Sequence, residues 1–226
     1  MRRAVFCKPP FVLYLNKGAR MDAYQTIEGT ATARIEEKKS EFIAHASFAD
    51  TEEKALAFLN AVRAEHRTAS HNVYAYLLRE GARMRYSDDG EPAKTSGLPT
   101  LEAIRHAGLT DCIIVTTRYF GGTLLGTGGL VRAYTAAASA AIAAARRVTV
   151  QLCVRGVLCV EYALYEQAQR LLAEAGARPE ETEFGSRVTI PFVLLSGRET
   201  ALLEKLQELC RGSADITLSD PYFAPF

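Results

Sequence analysis

The sequence predicts an α+β protein made of two folded units behind a short N-terminal extension. Three observations predict it. A β-branched run, a glycine-dense segment and a long alanine-rich helix follow one another over 112–147. Beyond them, strand-like and helix-like segments alternate as β-α-β-β-α-β, the split βαβ or ferredoxin-like order. The 226 residues are 48% apolar and 23% charged with a net charge of +1, enough for one large domain or two small ones, each with its own core.

Tyr24–Glu28 and Glu41–Phe48 read as strands, joined through the polar Lys38-Lys39-Ser40. Asp50 or Thr51 can cap a helix that carries Glu52 and Glu53 in its first turn and Leu56, Leu59 and Val62 on one face. His71–Arg79 is rich in β-formers. Residues 86–99 are dense in turn formers and read as a loop, and Pro99 suits the first turn of a short helix reaching His106. Cys112–Thr117 is a buried strand. It leads through Arg118, Tyr119 and Phe120 to Gly121, Gly122, Gly126, Gly128 and Gly129. A helix over Leu130–Arg147 follows, its C-terminal end favoured by Arg146 and Arg147 through the helix dipole.

The second unit begins near Arg147–Val148. Thr149–Tyr162 is a strand, and Tyr165–Ala175 a helix that Gly176 ends. Glu180–Phe184 and Arg187–Leu195 form a hairpin around Gly185, Thr200–Cys210 is a helix, and Ile216–Leu218 is a last strand. The expected division is therefore an extension at 1–20, a first domain at 21–147 and a second at 148–226.

Composition excludes several classes. Disorder needs fewer apolar residues and more charge imbalance, and no apolar run approaches the roughly 18–20 residues of a membrane span. The extension carries five basic residues and no acid, but Lys8-Pro9-Pro10 splits its apolar parts and no cleavage site follows, so it is not read as a signal peptide. Met21 is a candidate start of the folded unit. Five widely spaced cysteines (Cys7, Cys112, Cys153, Cys159, Cys210) without a C-x-x-C pair suggest reduced thiols and a cytoplasmic protein. Formal charge is +5 over 1–20, 0 over 21–147 and −4 over 148–226. Any nucleic-acid surface must then be local; residues 98–147 hold a modest +3.

Glycines before a helix invite comparison with phosphate cradles. The templates fail. Thr127 stands where a P-loop needs lysine, and Gly126-Thr127-Gly128-Gly129 lacks the last glycine of a dinucleotide fingerprint. What is left is a candidate nucleic-acid or anion surface of Arg118, Tyr119, Phe120, the five glycines and Arg132, since arginine and aromatic rings bind phosphate and stack on bases. The alternative is that the rings are core and the glycines permit tight packing. Asp88, Asp89 and Glu91, with Lys94 and Thr95, form a second candidate loop. It lacks EF-hand ligands, and Asp-Asp-Gly is also an ordinary turn. His45, His66, His71 and His106 form no zinc-ligand spacing. No catalytic constellation, metal site or cofactor motif is assembled.

Several motifs together resemble the Impact family: Glu37-Lys38-Lys39-Ser40-Glu41-Phe42-Ile43-Ala44, His71-Asn72-Val73-Tyr74-Ala75-Tyr76, Ser87-Asp88-Asp89-Gly90-Glu91-Pro92, Gly97-Leu98-Pro99, and Val115 through Tyr134 with its Arg-Tyr-Phe-Gly-Gly and Gly-Thr-Gly-Gly-Leu-Val-Arg runs. The resemblance is strong over Tyr24–Arg147, and 148–226 is similar to the second domain of the bacterial branch. It implies a first domain like ribosomal protein S5 domain 2 and a ferredoxin-like second, together similar to the last two domains of elongation factor G. Eukaryotic relatives bind a translation regulator with the help of an additional N-terminal domain for which this sequence offers no counterpart, so that interaction is not carried over. The family supplies no agreed catalytic residue. One departure stands out: Lys94 occupies a position where many members have a glycine or another small residue before the threonine.

The resulting expectation is an RNA- or ribosome-binding protein linked to translation or its regulation. A protein-interaction module that docks a basic partner through the acidic second domain is the alternative. An enzyme acting on a phosphorylated or nucleotide substrate through Asp88, Asp89, Glu91 and His71 is the third reading.

Overall fold

The computed structural model describes residues 23–226. The 1–20 extension, Met21 and Cys7 lie outside the described residues. The chain forms two antiparallel sheets with helices packed on them. The first sheet has five strands in the order β2-β3-β6-β4-β5: β2 (Thr30–Glu37), β3 (Ser40–Phe48), β4 (His71–Leu78), β5 (Arg83–Ser87) and β6 (Cys112–Tyr119). The central β6 is buried along nearly its whole length, as its Cys-Ile-Ile-Val-Thr-Thr run requires.

Side chains alternate across a strand, so the two faces separate cleanly. Phe42, Ala44, Ala46, Val73, Ala75 and Ile114 face two helices, α2 (Gly97–His106) and α3 (Thr127–Ala144). Ala133, Ala137, Ala138 and Ala141 of α3 meet those strand alanines, and small against small brings the helix close to the sheet. Ile113, Val115, Tyr76 and Leu78 face α1 (Glu52–Glu65) on the other side. Thr51 caps α1 by accepting from the Lys54 amide.

Several details differ from the sequence expectation. β2 exists although its Thr-Ala-Thr-Ala run is a weak strand former, because α3 covers Ala33 and Ile35. It joins β3 through a two-residue turn, Lys38-Lys39, with both φ positive at 47° and 65°. Helix α3 also stops at Ala144, so Arg146 and Arg147 do not cap it. They begin β7 (Arg146–Val160), a 15-residue strand that runs straight into the second sheet.

β7 organises that second sheet. It pairs with β10 (Val188–Leu195) on one side and β11 (Asp215–Leu218) on the other; β8 (Arg178–Pro179) and β9 (Glu183–Phe184) pair with β10. The order β11-β7-β10-β8, with α4 (Tyr165–Glu174) and α5 (Glu199–Leu209) over the core of Leu158, Val188, Ile190 and Phe192, is the ferredoxin-like arrangement. Gly156 is required there: a Cβ would stand 2.6 Å or less from two atoms of the Phe192 ring. Two further strands join the same sheet. β1 (Tyr24–Glu28) pairs with Val150–Arg146, and β12 (Tyr222–Pro225), unforeseen in the sequence, pairs with Cys153–Val150. Arg79 clasps this junction, its guanidinium 4.6 Å from the ring centres of both Tyr24 and Phe223.

Candidate functional site

The 88–97 loop crosses one end of the first sheet, and its carboxylates are consumed in holding it there. Asp88 Oδ1 accepts from the Ser96 amide (3.1 Å), the Ser96 hydroxyl (2.7 Å) and the Gly97 amide (2.8 Å), while Oδ2 accepts from the Lys94 amide (2.8 Å). It thus closes the loop and satisfies the first amide of α2, that of Gly97, together with the Ser96 amide that precedes it. Burial raises its pKa, but these four hydrogen bonds outweigh burial and hold the carboxyl below its ordinary value. Asp89 Oδ2 accepts from the Asn72 amide at 2.7 Å, and Oδ1 pairs with Arg63 at 2.9 Å. The Asp89 carbonyl accepts from His71 Nδ1 at 2.8 Å, which fixes that ring's tautomer. Thr95 is buried and its hydroxyl donates to the Pro92 carbonyl at 2.7 Å.

Glu91 turns inward. Its Oε1 accepts from Arg118 Nη1 at 2.6 Å and from the Tyr134 hydroxyl at 2.8 Å, and His71 Nε2 lies 3.9 Å away. Arg118 Nη2 donates to the Ser40 hydroxyl, which also receives the Gly121 amide at 3.2 Å. The side chains of Arg118 and Glu91 are only 6% and 3% exposed. Burial, with the Glu91 carboxylate next in weight, raises the Tyr134 pKa, so the phenol stays a hydrogen-bond donor. Ser40 and Tyr134 were not singled out from the sequence; both lie within the quoted motifs, but nothing in their spacing marks them as partners of Glu91.

This overturns one expectation. Arg118 is not an exposed phosphate ligand. It belongs to β6, where residue 118 faces α3, and the Glu91 loop closes over it. Tyr119, the next residue, points to the α1 face, where its hydroxyl is 2.9 Å from His66 Nδ1. The two therefore cannot form one surface. The enzyme reading fares no better: the carboxylates of Asp88, Asp89 and Glu91 point to three different sets of partners, and His71 comes no nearer than 3.9 Å to the Glu91 carboxylate while bonding Asp89 only at its main-chain carbonyl.

The rest of the glycine segment is open. Phe120 is 49% exposed and Leu124 84%, and Arg132 and Thr127 are exposed in the first turns of α3. Gly122 and Gly126 take the left-handed φ values 81° and 73°, while Gly128 and Gly129 lie inside α3. Gly121 is fixed by contact: a Cβ there would lie 2.0 Å from the Lys39 carbonyl. That approach seats the glycine loop against the Lys38-Lys39 turn, so Phe120 and two exposed lysines share one end of the molecule. Lys94 is exposed and also has a positive φ, 64°, which is the physical reason a glycine suits this position. Among the described residues, no helix is long and apolar enough to cross a membrane.

An antiparallel sheet whose polar end is sealed by an acidic loop, followed by a ferredoxin-like unit, defines a distinct two-part α+β class. Residues 38–142 match the Impact N-terminal domain, and residues 158–213 match a domain of unknown function (DUF1949). The chain is 32% identical over 197 residues to the IMPACT family member YvyE of Bacillus subtilis, covering 87% of this chain and 91% of that one. It is 33% identical over 205 residues to the IMPACT family member YigZ of Escherichia coli, covering 87% and 98%. A crystal structure of a hypothetical protein aligns with a TM-score of 0.58 at 31% identity, over 87% of this chain and 97% of the other. The chain belongs to the Impact family.

Proposed function

We propose that the protein binds RNA or an RNA–protein assembly, in translation or its regulation, through the end of the first sheet where the glycine loop meets the β2–β3 turn. One observation carries the reading: Gly121 packs its backbone on Lys39, which brings its chain neighbour, the half-exposed Phe120, to the end that carries two lysines held in a left-handed turn, and the same glycine loop exposes Leu124. Rings and apolar side chains stack on bases while lysines contact phosphates. Exposed Arg132 extends the surface, whereas Arg118 supports it from beneath.

The turn supplies a clean test. Asn-Gly is the preferred sequence for two positive φ values, so Lys38→Asn with Lys39→Gly removes both charges while favouring the same backbone. Affinity for a single-stranded RNA should fall, and the slope of log affinity against log salt should flatten by about 1.4, at about 0.7 per lost phosphate contact. Phe120→Ala should weaken binding by about 1–3 kcal/mol with the slope retained. Unchanged affinity in both variants defeats this reading.

A second reading rests on a different surface. Tyr162 and Phe184 of the second unit are 54% and 61% exposed with ring centres 6.4 Å apart, and Glu161, Glu181 and Glu183 are exposed near them in the chain. Aromatic rings among carboxylates suit a basic protein segment. A pull-down that survives nuclease and is lost in Tyr162→Ala/Phe184→Ala would support it.

A further inference from the structure

On the α1 face of the first sheet two histidines that are 21 residues apart in sequence meet. His45 comes from β3 and His66 from the C-terminal end of α1, and their Nε2 atoms stand 3.2 Å apart. Each ring is held from behind. The His66 Nδ1 is 2.9 Å from the Tyr119 hydroxyl, and the His45 Nδ1 is 3.1 Å from the Thr32 hydroxyl. Both rings line a groove of about 410 Å³ whose other walls include Thr30, Arg34, Phe58 and Glu65.

We propose that His45 and His66 form a binding site for a late divalent transition ion, with zinc as the reference ion and Glu65 as the third ligand. The argument is geometric. Zinc binds imidazole nitrogen at about 2.0–2.1 Å, so two nitrogens at the observed separation subtend about 100° at a shared ion, within the range of a tetrahedral site. Imidazole suits zinc, copper and nickel, not calcium or magnesium. Ligating histidines characteristically anchor the other ring nitrogen to an oxygen, and here both do. The tautomers also allow it. Without an ion, one Nε2–H donates to the other ring. With an ion, both protons reside on Nδ1 and donate to Tyr119 and Thr32, whose hydroxyls can accept as readily as donate. No proton is lost in that exchange.

The third ligand has to move. Among the described residues no three His, Cys, Asp or Glu side chains already converge at metal distance. Glu65 Oε1 is 4.0 Å from His66 Nε2 on a side chain that is 71% exposed, so rotation about its own bonds brings it in. Arg34, the cation in the groove wall, is neutralised by Glu41 at 2.7 Å. Water completes the shell from the open side. The site uses neither the glycine loop nor the lysine turn, so it stands or falls apart from the RNA reading.

The test is titration of the untagged full chain, stripped with chelator, by zinc chloride in a calorimeter and by cobalt chloride in an absorption cell. One-to-one saturable binding is expected, with cobalt d–d bands and no thiolate charge-transfer band. His45→Ala and His66→Ala should each abolish it, and Glu65→Gln should weaken it. Tyr119→Phe should weaken binding by about 10-fold, because the ring loses its orienting partner while the ligands remain. Circular dichroism of each variant establishes that the fold persists, and Tyr119→Phe, which removes one oxygen, serves if an alanine variant does not fold. Absence of one-to-one binding in the wild-type chain, its survival in the histidine variants, or a thiolate band would overturn the proposal.

Discussion

Arg118 and Tyr119 are neighbours in β6 and have opposite fates. Arg118 points under α3, is sealed by the Glu91 loop and joins a network that also takes in Ser40 and Tyr134. Tyr119 points under the end of α1 and joins the His66–His45–Thr32 chain beside an open groove. Both networks are polar, and both start from the same end of β6, although the second runs back to His45 and Thr32 in the middle of β3 and β2. The difference between them is water. A charge pair cut off from solvent must be complete, since either half alone leaves an ion without a partner. A hydrogen-bonded chain at a groove tolerates loss because water can replace a member. The sealed network therefore serves architecture, and the open one is available for binding.

The largest expected effect tests that contrast directly. Arg118→Ala strands the Glu91 carboxylate in a buried site and should cost about 3–5 kcal/mol of stability. His66→Ala removes one hydrogen-bonded neighbour of Tyr119 and should cost about 1 kcal/mol. Urea unfolding of the two variants measures the gap; equal costs would mean that the Arg118 network is wetter than its 3–6% side-chain exposure implies.

An intermediate effect comes from Asp88, which is sealed by hydrogen bonds instead of an ion pair. Asp88→Asn replaces an acceptor oxygen with an NH2 group and should cost about 1.5–3 kcal/mol at neutral pH, the range for hydrogen bonds to a charged group. The pH dependence has a definite sign. The folded carboxyl titrates below its unfolded value of about 3.9, so its stabilisation is full above that pH and fades as pH falls through the lower folded value. The gap between wild type and Asp88→Asn should therefore narrow in acid. A gap that is constant from pH 7 to pH 3 would assign the cost to packing instead of charge.

How much of this was legible beforehand follows the same division. The buried strands β6 and β10 and the helices α1, α4 and α5 announce themselves through β-branched runs, caps and apolar faces, all local signals. β2, β5 and β12 do not. β2 is alanine and threonine, β5 is Arg-Met-Arg-Tyr-Ser at an exposed edge, and β12 contains two residues that follow a proline closely; each is a strand because a neighbour pairs with it. At the site, the motifs point to the right loops, and the alternation of a strand would already have parted Arg118 from Tyr119. The partners are another matter. Arg63 with Asp89, Arg118 with Glu91 and His45 with His66 are separated by 21 to 27 residues and meet only through tertiary packing.

The smallest effect concerns a residue that neither network needs. Lys94 holds a φ of 64° in the loop, and its amide, not its side chain, is what Asp88 uses. A side chain in the left-handed region costs about 1 kcal/mol or more, and glycine escapes that cost while losing more chain entropy on folding. The balance favours glycine where the backbone conformation is imposed by other contacts, as the four Asp88 hydrogen bonds impose it here. Lys94→Gly should therefore raise stability by about 0.5–1 kcal/mol and leave the hydrogen-bonded loop intact. The same substitution in an Asp88→Asn background should stabilise less, because the loop is then free to relax toward a negative φ that suits lysine. Measured by thermal unfolding of the four proteins in a cycle, a coupling of zero would show that Asp88 does not impose the strained backbone.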